Sequence, residues 1–307
     1  MISIIMGVYN EKSVWIQQTV ESVLSQTYTD FEFIIIIDNP FLACDAVEYL
    51  RKTADADPRV RLHFNERNLG LMRSLNIGID IAQGDYIARM DADDIPFPDW
   101  LEKEMRFMED NGYDIVSGCG VDIDEEGNEI CRSKILKNIP EKHLMYGNFI
   151  IHSTIIAKTS MMRELGGYRE FYKVEDYDMW LRVLSAGYKM GVLDDYVIFH
   201  RIRKGMTHQN RLETYYIAEY QKRLYRERLR NGTDSFSVEN LKSYMDSKDI
   251  SEKRNRQYCN LHESIDSAIS KFKSRRIGFI VDLIKAFFAF PSIAIVTIKN
   301  LVRMNFS

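Results

Sequence analysis

Three carboxylates crowd into four positions at Asp91-Ala92-Asp93-Asp94, directly after Tyr86 to Met90, a run that reads as a strand buried in a sheet. Carboxylates this close repel one another unless a cation sits among them. Hard divalent ions such as Mg²⁺ and Mn²⁺ take oxygen ligands, commonly one or two carboxylates completed by water and substrate phosphates. Asp91-Ala92-Asp93 is therefore a candidate metal–phosphate site at the carboxyl end of a strand. The plain alternative is an acidic turn stopped by Pro96 and Pro98, since Asp is a common turn residue. A calcium loop of the EF-hand type fails, because Pro96 stands at the sixth position, where the sharp turn needs Gly.

Other polar groups sit at comparable places. Tyr9-Asn10-Glu11 follows the strand-like run Ile2 to Val8, and Asp38-Asn39 follows Phe31 to Ile37. Glu175 and Asp176 open a helical pattern running to Leu184, where the helix dipole favours negative charge. Taken singly, each has a turn or cap explanation, with Asn10 or Ser13 capping the first helix. Asp178 and Arg182 are spaced to pair at i,i+4, a small solvated contribution.

The elements that must position these groups alternate. Strands are expected at 2–8, 31–37, 60–64, 86–90 and 115–121, and helices at about 13–26, 45–54, 71–82 and 98–111. A βαβα alternation argues for an α/β fold with a mostly parallel sheet and helices on both faces. Ligands bind such sheets outside the carboxyl ends of the strands, so the three polar clusters after strands should open onto one edge. The dinucleotide fingerprint is missing, because Ile123 replaces the third Gly after Gly118-Cys119-Gly120, and no P-loop is present. Beyond Val121 come a hairpin around Glu125-Glu126-Gly127-Asn128, a short helix near 141–146, a strand at 153–157, and a helix ending at Gly166-Gly167.

At 307 residues the chain holds one sizeable core plus an appendage, or two small domains. A net charge of −4 gives no whole-chain argument for nucleic-acid binding. The four cysteines are widely spaced, which suits free thiols in a reducing compartment rather than disulfides or zinc. The N-terminus shows no secretory signal, so the cytoplasm is the expected location.

Taken together these residues resemble the family-2 inverting glycosyltransferases of the GT-A fold. The motifs are Val8-Tyr9-Asn10-Glu11, Ser22-Val23-Leu24-Ser25-Gln26, Ile37-Asp38, Asn68-Leu69-Gly70-Leu71, Asn76, Tyr86 to Asp94, Gly166-Gly167-Tyr168 and Glu175-Asp176-Tyr177-Asp178. The run from Gly84 to Asp94 is close to the form found in builders of surface polysaccharide. The resemblance implies a GT-A domain over 1–205, with a nucleotide-sugar half to about 120 and an acceptor half beyond it. It implies metal-dependent hexosyl transfer from a nucleotide-diphosphate sugar, a UDP-sugar by expectation, to a lipid-linked or growing glycan. Tyr9 and Glu11 would line the nucleotide pocket, and Asp38 would accept a hydrogen bond from the base. Asp91, with Ala92 alongside, would contact the ribose or diphosphate, and Asp93 with Asp91 would hold Mn²⁺ or Mg²⁺. Asp176 would be the general base, with Glu175 beside it, and His152 would lie near the donor phosphates or acceptor.

Two departures stand out. Arg203 occupies the place where the family commonly has a His in an Arg-x-His element, so a cation there could bind the diphosphate directly. Asn39-Pro40 replaces a second acid after Asp38. A nucleotidyltransferase and an inactive scaffold of the same fold are the alternatives. The first lacks a Gly-rich phosphate loop, and the second has Arg203 as its only support.

Residues 206–307 are expected to form a helical extension. Its first helix, His208 to Arg230, suits packing or oligomer contacts better than nucleic acid. Residues 271–303 combine basic flanks with an apolar run well short of the ~20 residues that a spanning helix needs. That pattern suggests a segment lying in the membrane interface, which would place the protein peripherally on the inner membrane face.

Overall fold

Apolar runs and amphipathic stretches alternate in the computed structural model as strands and helices, over its described residues 1–132, 141–203, 211–273, 279–290 and 293–294. The first half is β1 (Ile2–Val8), α1 (Ser13–Leu24), β2 (Phe31–Ile37), α2 (Cys44–Ala56), β3 (Val60–Phe64), α3 (Leu71–Ile81) and β4 (Tyr86–Asp91). β3, β2, β1 and β4 lie side by side, all parallel, with Gly7 in register with Asp91 and Val8 with Ile37. All seven residues of β2 are buried, as a run with four consecutive Ile requires. Ile2, Ile4, Met6 and Val8 share a core with α1 and α2, while α3 packs on the opposite face over Ile5.

The sheet continues with β5 (Ile95–Pro96), β6 (Ile115–Ile123), β7 (Glu129–Arg132), β8 (Ile156–Lys158) and β9 (Met190–Arg201). The order is β3-β2-β1-β4-β8-β6-β9-β5, with β7 a hairpin arm on β6. Here the direction is mixed: β8 runs antiparallel to both β4 and β6, whereas β6 and β9 are parallel. Between these strands come α4 (Trp100–Asn111), α5 (Glu141–Leu144), α6 (Thr159–Glu164) and α7 (Glu175–Ser185). Trp100, Leu101, Met105 and Met108 of α4 complete the core on the α1–α2 face.

Several expectations are corrected. α1 starts after Lys12 without a side-chain cap from Asn10 or Ser13. The strand expected at 153–157 begins as a 3₁₀ turn, His152–Thr154, because Thr154 Oγ1 donates back to Ile151 O at 2.9 Å. Asp178 and Arg182 are not a solvated pair. They are 0% and 3% exposed and 2.8 Å apart, and Arg182 also donates to Leu165 O and Gly167 O at 2.6 Å.

The chain divides into two compact units, Met1–Leu144 with Asn148–Lys204, and Met145–Gly147 with Gly205–Ser307. The second unit contains α8 (Arg211–Asn231), α9 (Val238–Asp246), α10 (Glu252–Lys273) and α11 (Phe279–Ala289). Its core includes Leu212, Tyr258, Leu261, Ile265, Ala286 and Phe290. Of the segment expected at the membrane interface, 274–278, 291–292 and 295–303 lie outside the described residues.

Candidate active site

Because β2, β1 and β4 are adjacent and in register, Asp38, Tyr9 and Ala92 leave the sheet at one edge. Asn39 stitches the first two together, its Nδ2 donating to Tyr9 O and to Asn10 Oδ1 at 2.8 Å. Asp38 is buried and accepts from Asn65 Nδ2 (2.7 Å) and from the amides of Leu69 and Gly70 (2.8 Å each). These bonds shape the loop that carries the Asn68-Leu69-Gly70-Leu71 motif. They leave a carboxylate lone pair to accept from a ligand.

Each member of the acidic triplet has a different environment. Asp91 is the most open, and its Oδ2 accepts from Arg89 Nη1. Ala92 is packed into the core. Asp93 is nearly buried, and its Oδ2 takes the Arg203 Nε at 2.6 Å. Burial first, then the charge of Asp91, raise the Asp93 pKa against the pull of Arg203. Arg203 Nη2 also reaches Glu11 Oε1 at 3.1 Å, while Glu11 Oε2 accepts from the Tyr9 amide at 2.7 Å. Arg203 thus joins the loop after β1 to the one after β4. Asp94 is structural: its carboxylate accepts from Ser153 Oγ (2.5 Å) and the Arg201 amide (2.8 Å), and its carbonyl accepts from Thr19 Oγ1 (2.6 Å).

Side chains alternate across a strand, so Arg89 and Asp91 project from the face opposite Ala88 and Met90. Glu175 and Asp176, in the first turn of α7, lie within reach of the Arg89 charge. Arg89 is 4% exposed, its Nε has no partner among the described residues, and the charges of Asp91 and Glu175 both act on it. Asp176 accepts from Asn148 Nδ2 at 2.5 Å and from the Tyr177 amide at 2.8 Å. Burial raises the Asp176 pKa, and burial together with the Asp176 charge pushes Glu175 up to about 7. His152 Nε2 lies 2.7 Å from Tyr168 Oη, and its Nδ1 lies 3.9 Å from Glu175 Oε1. Burial and Arg89 hold the imidazole well below its ordinary pKa, so it is neutral and forms no ion pair with Glu175.

Two devices aim these groups. Val174, just before α7, sits at φ 50°, and among the described residues it is the only one other than Gly at positive φ. A β-branched residue is strained in that region. Gly167 (φ 65°) lies so near α3 that a Cβ would meet Asn76 Oδ1 at 2.3 Å. Asn76 clasps the next residue, accepting from the Tyr168 amide (2.7 Å) and donating to its carbonyl (2.8 Å). Tyr168 is thereby turned toward His152.

The site therefore gathers Tyr9, Glu11, Asp38, Asp91, Asp93, His152, Glu175 and Asp176 on two connected sides of one sheet edge. Sequence reasoning missed Arg89, Asn148 and the stapling role of Arg201, which is buried and donates to Asp93 O, Asp124 O, Glu125 O and Gln18 Oε1. A charge inside an apolar strand is a signal that could have marked Arg89, whereas Asn148 carried none. Arg73 of α3, by contrast, is a surface charge, paired with exposed Glu170 at 2.6 Å.

No three His, Cys, Asp or Glu side chains form a ready metal cage among the described residues. The donor set still fits Mg²⁺ or Mn²⁺, which use one or two carboxylates plus phosphates and water. With Arg89 and Arg203 on their Oδ2 atoms, Asp91 and Asp93 each keep Oδ1 for a cation.

A family model described as Glycosyl transferase family 2 matches residues 3–165. An uncharacterized glycosyltransferase of Methanocaldococcus jannaschii, MJ1057, is 31% identical over 224 residues, 72% of this chain and 77% of its own. The amylovoran biosynthesis glycosyltransferase AmsE of Erwinia amylovora is 30% identical over 232 residues, 75% of this chain and 86% of that one. The O-antigen biosynthesis glycosyltransferase WbnJ of Escherichia coli is 31% identical over 224 residues, 72% and 87% of the two chains. Among solved structures, S. aureus TarS 1-349 in complex with UDP-GlcNAc superposes with a TM-score of 0.60 at 13% identity, covering 94% of this chain and 91% of the other. At that identity the likeness is one of fold, and the fold is the GT-A arrangement expected from the motifs.

Proposed function

This chain belongs to glycosyl transferase family 2, and from that membership we propose that it transfers a hexose, with inversion, from a UDP-sugar to a lipid-linked or growing glycan. The names of AmsE and WbnJ support a role in surface-polysaccharide synthesis, and a complex of TarS with UDP-GlcNAc supports the donor class. The observation that carries the reading is the buried Arg89, paired with Asp91 and acted on by Glu175 and Asp176, while Arg203 holds Asp93 beside Glu11.

In the proposed reaction the acceptor oxygen attacks the anomeric carbon as the bond to the diphosphate breaks. The hydroxyl proton passes to the Asp176 carboxylate, since a hydroxyl is a weak nucleophile without a positioned base. Asn148 and the Tyr177 amide fix that carboxylate. Tyr9, Glu11 and Asp38 line the nucleotide, and neutral His152 offers a hydrogen bond beside the transferred sugar. Mg²⁺ or Mn²⁺ on Asp93 and Asp91 would act as a Lewis acid on the leaving diphosphate. Arg203 adds a second cation at the same place.

Calorimetric titration of UDP, with Mn²⁺ and then with excess chelator, tests the donor half. Metal-dependent binding supports the Asp91–Asp93 site. Chelator-resistant binding that Arg203→Ala abolishes keeps the nucleotide pocket and assigns the phosphates to Arg203. A chain that binds neither UDP, GDP nor dTDP under any condition is not this enzyme.

A further inference from the structure

α11 turns its apolar side outward. Ile280, Val281, Ile284, Phe287 and Phe288 are 42–75% exposed and recur at the spacing of one helix face. Its inward side holds Ala286 with Phe290 just beyond, in the core shared with Leu261 and Ile265 of α10. The one acid of the helix, Asp282, also points inward, 5% exposed, where it accepts from Lys271 Nζ (2.6 Å) and Ser267 Oγ (2.8 Å). The outward face thus carries no exposed acid, and Lys285 is its exposed charge at 67%.

Charge is divided along the chain in the same sense. Residues 267–307 contain seven Lys and Arg against the single acid Asp282. That part is +6 in a chain of net −4, so the first 266 residues carry −10. None of the helices among the described residues is long and apolar enough to cross a membrane.

We propose that the outward face of α11 is a docking surface for an anionic lipid membrane, with Ile284, Phe287 and Phe288 entering the acyl boundary and Lys285 at the headgroups. An apolar stripe with cations and no exposed acid is what an interfacial helix presents to anionic lipid. A second copy seated face to face would bring another apolar stripe with Lys285 and no exposed acid, whereas acidic headgroups supply a counter-charge. Docking of this surface would bring the chain to the membrane that carries a lipid-linked acceptor, and its recognition of lipid is independent of donor chemistry.

The test is flotation of the full-length protein with vesicles of phosphatidylcholine alone and of phosphatidylcholine mixed with phosphatidylglycerol. The wild-type chain is expected to float with the mixed vesicles, more weakly at high salt, and poorly with the neutral ones. Ile284→Asp with Phe288→Asp should weaken partitioning by about tenfold or more, since each apolar side chain inserted contributes substantially. The milder Ile284→Ser, Phe288→Ser pair should lose binding in the same direction, with the thermal midpoint and UDP affinity unchanged. Equal flotation of variant and wild type overturns the proposal, as does failure of the wild type to float. A large fall in midpoint for both pairs would mean that the face is packed within the protein. Conversion of a dimer to a monomer with lipid binding unchanged would mean that it serves a second copy. Either result also overturns it.

Discussion

Burying a guanidinium is costly unless carboxylates compensate it, and Arg89 is compensated from both halves of the site. Its charge lowers the pKa values of Glu175 and Asp176, against the burial that raises them. The pair therefore holds a proton below about 7, the value reached by Glu175, and transfer should fall as the pH drops through that region. Arg89→Met should move the acid limb of the kcat profile to higher pH, while Arg89→Lys leaves it nearly in place. Glu175→Gln removes a like charge and should move the limb lower. The stability sign follows from the same shift: Glu175 takes up a proton on folding between its ordinary 4.5 and about 7. The wild type should lose stability as the pH rises through that window, and the Gln variant should lose less in denaturant titrations. Asp176→Asn should lower kcat by about 10²–10⁴ with UDP affinity retained. Equal turnover would remove Asp176 from the role of base.

At the scale of elements, α7 is held at both ends of its first two turns. Val174 is forced into left-handed backbone at the entry, and Arg182 ties the helix to the Gly166–Gly167 turn. Val174→Gly should raise the thermal midpoint, because a strained residue of this kind costs about 1–3 kcal/mol. The same change should lower kcat with little effect on KM, since Glu175 and Asp176 follow directly. Asp178→Ala strands a buried guanidinium and should destabilise the protein by about 3–5 kcal/mol in urea unfolding. A loss below about 1 kcal/mol would show that water reaches Arg182.

For the whole molecule, each unit has its own apolar core, one around β1, β2 and α4 and one around α10 and α11. Separate cores allow separate unfolding, so calorimetry should show two transitions. UDP with Mn²⁺ at about 100 times its Kd should stabilise only the catalytic unit, by about 2.7 kcal/mol. A single transition that moves as one would mean that the units unfold cooperatively.

The sequence by itself determined the alternation of elements, the edge on which the polar clusters open, and the identity of the acids at that edge. Periodicity and strand ends are local properties, and parallel pairing turns them into a shared edge. It also carried the amphipathic composition of the C-terminal segment. Tertiary structure decided which charges are buried and whom they meet. Arg203 lies on Asp93 from 110 positions away, and Asn148 lies on Asp176 from 28. The same holds for Asp178 and Arg182, whose spacing suits a solvated pair until the Gly166–Gly167 turn closes over it, and for Asp282, whose inward turn leaves the outward face of α11 without an acid. Ion pairing and desolvation depend on what the rest of the chain packs around a side chain, and no local window of sequence contains that information.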